Sequence, residues 1–392
     1  MDSGGALKAD GKSSSRKLLR NISFALFISL LINVLMGLLV DFGELREAFK
    51  AASPLTVILP FLLIFAIYVI DSFRYQLVFS KFNIRASFRD GLYNNIIGYF
   101  FSNITPGSVG GQPLQVLHFS RLGLDSTVSS NVVFSRLIES NLVQLFIVLI
   151  FFPKGVGMMS MLGKGAYLLG AGMLITILAT LVLVLGFMNP HLLGALAMRI
   201  GKSGLGKLVA KLTKEPQWAK KISVWSRGLG DGFKVLWSHN MGTMVLDILI
   251  FMIDQVLWAM ALYIPLGVLT GTPPPVPEFL ISFVLCGLVS LFIPTPGGAG
   301  SIEASYILVL SALTGKPAAT MSAVLIWRFS VYYLHLLVGG LVYFFIPQKK
   351  DVYTVDGKGI LRHIRPGAKP DPGAGKTPRA GPGPDRSRNS AL

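Results

Sequence analysis

The chain has 392 residues, a formal net charge of +17, 52% hydrophobic residues and only 14% charged ones. Apolar runs of roughly 20 residues recur along it, the length a helix needs to cross a bilayer; this excludes a soluble globular domain, and barrel strands are far shorter. The single cysteine, Cys286, excludes an intrachain disulfide and a cysteine-built metal site, and within its apolar run it reads as a small buried hydrophobe.

Residues 1–20 are polar, rich in Gly and Ser, and expected to be disordered. Ile22 to Val40 is the first predicted span. Its basic lead-in resembles a signal peptide, but no small-x-small cleavage site follows, so an uncleaved anchor is expected. Ser53-Pro54 opens a second span, with proline in the first helical turn, running to about Asp71. The segment with Arg74, Lys81, Arg85 and Arg89 is predicted to be cytoplasmic. Gly91 to Ser120 is broken in the middle by Pro106, Gly107, Gly110, Gly111 and Pro113. Two half-helices meeting at a loop, a re-entrant hairpin, fit it better than two full spans. Val128 to Phe152 crosses outward and Ala166 to Phe187 crosses back.

Residues 188–240 form a large cytoplasmic loop. Trp218, Ile222, Trp225, Leu229 and Leu236 recur there at helical spacing beside Lys220, Lys221 and Arg227. The pattern fits an amphipathic helix on the inner leaflet, or equally a helix packed on the cytoplasmic face of the bundle. A further span runs from about Met241 to Leu266. Phe279 to Leu313 is a second broken hairpin, now entering from outside, and Ala318 to Ile346 is the last span. The tail 347–392, rich in Pro, Gly, Lys and Arg, is expected to be disordered and to rest near anionic inner-leaflet lipid.

The charge is distributed asymmetrically. Residues 1–20, 73–90, 188–240 and the tail, with Arg121, hold 29 of the 36 Lys and Arg residues, all on one predicted side. This positive-inside pattern accounts for the basic balance without nucleic acid. It places both termini in the cytoplasm of a multi-pass protein of the cell inner membrane. The expected fold is therefore all-α: about six full spans plus two re-entrant hairpins, about 8–10 hydrophobic segments in all. They occupy residues 21–346, with repeats at about 54–152 and 241–346.

The two broken segments match each other. SNITPGSVGGQP leads through a Gly turn at Gly123 to Arg136, and LFIPTPGGAGSIE leads through Gly315 to Arg328. Pro106-Gly107 lies thirty residues before Arg136, and Pro296-Gly297 thirty-two before Arg328. Hairpins entering from opposite sides make the repeats inverted, an arrangement that lets one site face either side in turn. At 1.5 Å per residue, both arginines sit about 12–15 Å deep.

Non-helical backbone at membrane depth survives only where protein or a water-filled cavity satisfies it, and half-helix ends there suit anions. This makes Pro106, Gly107, Gly110, Gly111, Pro296, Gly297 and Gly298 candidate binding positions, against the plainer reading of helix kinks. Arg136 and Arg328 are costly in hydrocarbon and suit phosphate, which a guanidinium binds bidentately. Alternatively they lock helices together as ion pairs. Glu139, three residues after Arg136, can pair with it, and Glu303 is the expected partner of Arg328. Gln112, Gln115 and Glu303 follow the breaks at similar offsets and could hydrogen-bond a headgroup. Asp247 and Asp254, seven apart on one face, could relay protons or bind a coupling cation. His335 reads as a packed helix contact, and Asn103-Ile-Thr as a chance glycosylation match inside the membrane. No catalytic motif, cofactor fingerprint or metal-ligand pattern is present.

TPGSVGGQPLQV with VVFSRLIE, and PTPGGAGSIEAS with the late arginine, resemble the lysylphosphatidylglycerol synthase transmembrane family, also called flippase-like, over about residues 20–346. The resemblance implies movement of lipids, including aminoacylated phosphatidylglycerol, between leaflets. That family's first motif often carries an acidic residue where this chain has Gln112. Its bifunctional members carry a soluble aminoacyl-transferase domain that this sequence does not show, so no lysyltransferase activity is expected. The expected function is translocation of a phospholipid or glycolipid with an anionic phosphate. The alternative is a membrane subunit that presents a lipid to a separate glycosyl- or aminoacyl-transferase.

Overall fold

The computed structural model describes residues 52–345, except positions 106, 109, 161, 162, 164, 205, 207–209, 211–216 and 292–294. It also describes residues 352–355 and 361–364 and isolated positions between 27 and 50. The predicted first span, residues 1–20 and most of the tail thus lie outside the described residues.

The fold is mostly helical. Helix α1, Pro54–Phe79, starts where expected: the Ser53 side chain accepts a hydrogen bond from the Thr56 amide at 3.2 Å, with Pro54 at the first position. It then runs eight residues past Asp71, because Ser72 to Phe79 contain no glycine or proline to stop it. After a short strand β1, Ile84–Arg85, the broken segment follows as α2, Phe88–Ile104, and α3, Gly111–Arg121, which pack against one another. Helix α4, Ser126–Ile150, is capped by Asp125, which accepts from the Thr127 and Val128 amides. Then come α5, Phe152–Met159, α6, Gly165–Met188, α7, Pro190–Gly201, and α8, Trp218–Trp237. Helix α9 is Met241–Thr270. The second broken segment is α10, Val276–Leu291, and α11, Ser301–Thr314, which ends at the left-handed Gly315. The chain continues as α12, Pro317–Arg328, a five-residue π turn at Phe329–Tyr333, and α13, Leu334–Phe345.

Among the described residues, five stretches are long and apolar enough to cross a membrane: Pro54–Phe82, Ser126–Ile150, Leu169–Gly186, Met241–Thr270 and Pro317–Tyr343. They coincide with the last five of the six predicted spans. Their polarity is inside-out relative to a soluble protein. Large apolar side chains such as Ile58, Phe65, Leu149, Leu181, Leu249 and Leu341 are exposed, while Arg74, Asn94, Glu139, Asp247, Glu303 and Arg328 are buried. Water would not tolerate so wide an apolar surface; hydrocarbon does. The largest apolar core gathers Ile67, Leu169, Leu262, Phe279, Leu285 and Tyr306 from α1, α6 and α9 to α11.

Helix α8 packs one face on the bundle. Its Ser226, Leu229, Gly230, Gly232 and Leu236 are buried. The Trp225 and Trp237 indole N–H groups donate to Ser130 at 3.2 Å and Ser135 at 3.1 Å, both on α4. This face is packed on the bundle, and Lys220, Lys221, Arg227 and Lys234 remain on the exposed face.

The tail holds structure that its average composition conceals. Strands β2, Val352–Val355, and β3, Leu361–Ile364, pair antiparallel, and β3 pairs parallel with β1, Leu361 opposite Ile84. β2, Val-Tyr-Thr-Val, is rich in β-branched and aromatic residues that suit a pleated pairing, and β3, Leu-Arg-His-Ile, begins and ends on an apolar residue. They lie within a 46-residue segment that Pro, Gly and charge otherwise dominate. The segment after α1 and the segment after α13 are therefore on the same side.

Candidate functional site

The two breaks converge. Gly297 has φ +57°, and a β-carbon added there would lie 2.9 Å from the Asn103 carbonyl oxygen and against the Tyr332 ring. The end of α2 thus touches the loop before α11. Gly111 serves the same closeness within the first segment, its face lying against Ser102 and the Gly98 carbonyl. Gly297→Ala is expected to cost roughly 1–3 kcal/mol in strain and further stability from displaced backbone. Gly315→Ala, with φ +66° but open space around it, should incur the backbone strain alone. Unfolding midpoints of the two purified variants against the parent measure the difference. Equal losses would show that the Asn103 contact does not matter.

Around this junction lies a cavity of about 430 Å³. The first segment lines it with Asn103, Ser108, Gly111, Gln112 and Gln115, and the second with Gly297, Ile302 and Tyr306. Arg136 and Arg328 complete the wall, with Asp71, Arg74, Tyr75, Tyr99 and Trp258. Of the candidate positions, Arg136, Arg328, Gln112, Gln115, Gly111 and Gly297 line the chamber. Glu139, Glu303, Asp247 and Asp254 stand behind it, bound to its arginines. Gly107, Gly110, Pro296 and Gly298 shape the breaks, and Pro106 lies outside the described residues.

Arg328 is held as expected. Its Nε donates to Glu303 Oε1 at 2.9 Å, and its Nη2 donates to the Gly297 carbonyl at 3.3 Å. Glu303 Oε2 in turn accepts from the Gly300 amide at 2.8 Å, closing the first turn of α11. The guanidinium stacks over Tyr332, 4.4 Å from the ring centre. One side chain thus ties the second break to the last span.

Arg136 departs from expectation. It pairs with Asp71 on α1, not with Glu139, and lies 4.0 Å from the centre of the Tyr75 ring. Its side chain is 11% exposed against 1% for Arg74, and its Nε has no hydrogen-bond partner. It is the most exposed of the three arginines that line the chamber.

The residue that local reasoning placed in a cytoplasmic loop is the electrostatic hub. Arg74 donates through Nε to Asp247 at 2.6 Å and through Nη2 to Glu139 at 2.7 Å. Its Nη1 reaches Asp71 at 2.9 Å and Asp254 at 3.3 Å. Asp247 and Asp254 do share a face of α9, and that face meets Arg74. The Tyr99 hydroxyl donates to Asp71 Oδ2 at 3.4 Å. Asp71 and Arg74, spaced i, i+3 in a helix that nothing terminates, were the available signal. His335 packs against the rings of Tyr68, Tyr99 and Trp258, as a helix contact should.

Apolar spans facing outward around buried charged side chains and an internal cavity define an integral membrane protein. The chain belongs to the family described as the lysylphosphatidylglycerol synthase TM region, which matches residues 22–339. It is similar to a UPF0104 membrane protein of Archaeoglobus fulgidus, 24% identical over 307 residues that cover 74% of this chain and 87% of the relative. A UPF0104 membrane protein of Methanothermobacter thermautotrophicus is 22% identical over 338 residues, covering 82% and 92%.

Proposed function

We propose that the protein translocates a phosphate-bearing lipid between leaflets of the cytoplasmic membrane, with the headgroup in the chamber and the acyl chains in the bilayer. The observation that carries this reading is the chamber itself, walled by both broken segments and by Arg74, Arg136 and Arg328. Its volume, about 430 Å³, is within the range of small-molecule sites and suits a headgroup, not a whole lipid. Phosphate meets Arg136 first, because Arg328 is committed to Glu303 and Gly297. The membership of a lysylphosphatidylglycerol-linked family supports a phospholipid substrate.

In this reading the broken segments are re-entrant hairpins of two inverted halves, and rocking of the halves exposes the chamber to each side in turn. In the same reading the segment after α1 and the tail, paired through β1 and β3, both lie in the cytoplasm, a side that the charge asymmetry supports. The exposed basic face of α8 then lies toward anionic inner-leaflet lipid.

The test is reconstitution of the purified protein into phosphatidylethanolamine–phosphatidylglycerol vesicles carrying fluorescent phosphatidylglycerol, with external quencher reporting leaflet exchange. Exchange well above empty vesicles, reduced by Arg136→Gln, is expected. If no lipid moves, and a deletion strain instead lacks a glycolipid or aminoacylated lipid, presentation to a separate transferase is the better account.

A further inference from the structure

The hydrogen bonds around Arg74 leave a definite remainder. Four carboxylates, Asp71, Glu139, Asp247 and Asp254, face two guanidinium groups, Arg74 and Arg136. Fully ionised, the cluster would hold two negative charges in excess inside an apolar bundle, a cost no membrane interior offsets. The remainder is also visible atom by atom. Glu139 Oε1, Asp247 Oδ2 and Asp254 Oδ1 are buried and have no hydrogen-bond partner.

These oxygens have neighbours of their own kind. Glu139 and Asp247 are held by two nitrogens of the same guanidinium, Arg74 Nη2 and Nε, and Asp254 and Asp71 share its Nη1. Two carboxyl groups can bond to one another only if one carries a proton, since an ionised carboxylate has no donor. A proton on Glu139 Oε1 directed at Asp247 Oδ2 satisfies two of the three orphan oxygens at once. A second proton between Asp254 and Asp71 satisfies the third. The two protons also cancel the excess charge. A metal ion is a poorer fit, because the Arg74 guanidinium already fills the space between the four acids.

We propose that the Arg74 cluster is a proton-binding site, one proton shared by Glu139 and Asp247 and another by Asp71 and Asp254, whose occupancy is coupled to headgroup passage. The proton sites stand on the cluster alone; the coupling rests on the translocation reading. Each step makes or breaks only an O–H bond. A carboxylate takes a proton from chamber water, and the carboxylic acid returns it there. Asp71 is the gate, since it alone of the four acids lines the chamber. The groups facing the cluster are Asp71, Arg74 and Tyr75 from α1, Tyr99 from α2, Arg136 and Glu139 from α4, and Asp247 and Asp254 from α9. A headgroup phosphate that draws Arg136 away from Asp71 strips the cluster of one cation, and a proton taken up by the cluster restores its charge balance. Anion entry and proton uptake are thereby linked.

Infrared spectra of the full-length protein in lipid nanodiscs at neutral pH test the site. Protonated-carboxyl C=O bands that shift in heavy water are expected, one lost in Glu139→Gln and another in Asp254→Asn. Both substitutions are near-isosteric, and size-exclusion profiles check that the variants remain folded. Absence of such bands in the parent, or bands that persist unchanged in both variants, overturns the proposal. In the vesicle exchange assay, the parent rate should differ between acid-inside and acid-outside gradients, and the double variant should be indifferent to them. A parent indifferent to proton gradients, or responsive only to sodium, overturns the coupling. No exchange under any gradient removes the translocation reading and the coupling with it, while the infrared bands still decide the proton site.

Discussion

Arg74→Gln should be the most damaging single charge removal in the bundle. It deletes the one group bonded to Asp71, Glu139, Asp247 and Asp254 together. Breaking a single buried ion pair costs about 3–5 kcal/mol because the surviving charge is left unpaired, and here Glu139, Asp247 and Asp254 lose their arginine at once while Asp71 keeps Arg136. Arg74→Lys should recover little. An ammonium is a compact point charge, whereas this site uses three nitrogens of a planar fork directed at three helices. Unfolding of the purified variants in detergent measures the loss. Arg74→Gln combined with Glu139→Gln and Asp247→Asn should regain part of it, because the acids then need no cation; such neighbours are not expected to be additive. A loss under about 1 kcal/mol, the worth of an exposed pair, would contradict the hub assignment.

This hub shows where local reading stops. Apolar run lengths, the Ser53-Pro54 start and the glycine stop at Gly315 are short-range signals, and the spans they predict agree with the fold. The paired breaks were legible because the chain carries that unit twice, and Glu303 as partner of Arg328 because Arg328 has no acidic neighbour on its own helix. The end of α1 was not legible. Asp71 and Arg74 look like the residues that mark a membrane boundary, and their cost in hydrocarbon is offset only by partners 65 to 180 positions away. No window along the sequence contains those partners. The same limit explains Glu139. The i, i+3 rule offered Arg136, but Arg74 from another helix offers Glu139 a direct bond and leaves Arg136 to Asp71. Residues 352–355 and 361–364 fail for a different reason: a composition averaged over the tail hides two four-residue strands.

Arg136→Gln is expected to leave the fold in place and to remove most of the lipid exchange. Asp71 keeps the Arg74 and Tyr99 bonds when Arg136 is shortened, so no acid is stranded. What disappears is the most exposed guanidinium of the chamber wall. A hydrogen bond to a charged group is worth about 1.5–3 kcal/mol, and 1.4 kcal/mol is tenfold. Loss of such a bond to a headgroup phosphate should therefore slow exchange by about 10- to 100-fold. Arg136→Lys should restore only part of the rate, since it returns the charge without the fork that grips phosphate or the flat face that rests on Tyr75. Arg328→Gln should behave in the opposite way. Its donors serve Glu303 and the Gly297 carbonyl, so its removal strands a fully buried acid and loosens the second break before it touches any ligand. Stability should fall first, and exchange only with it. If Arg136→Gln exchanged lipid at the parent rate while Arg328→Gln, still folded, did not, the phosphate would belong at the second arginine and the chamber would have to be read from its other wall.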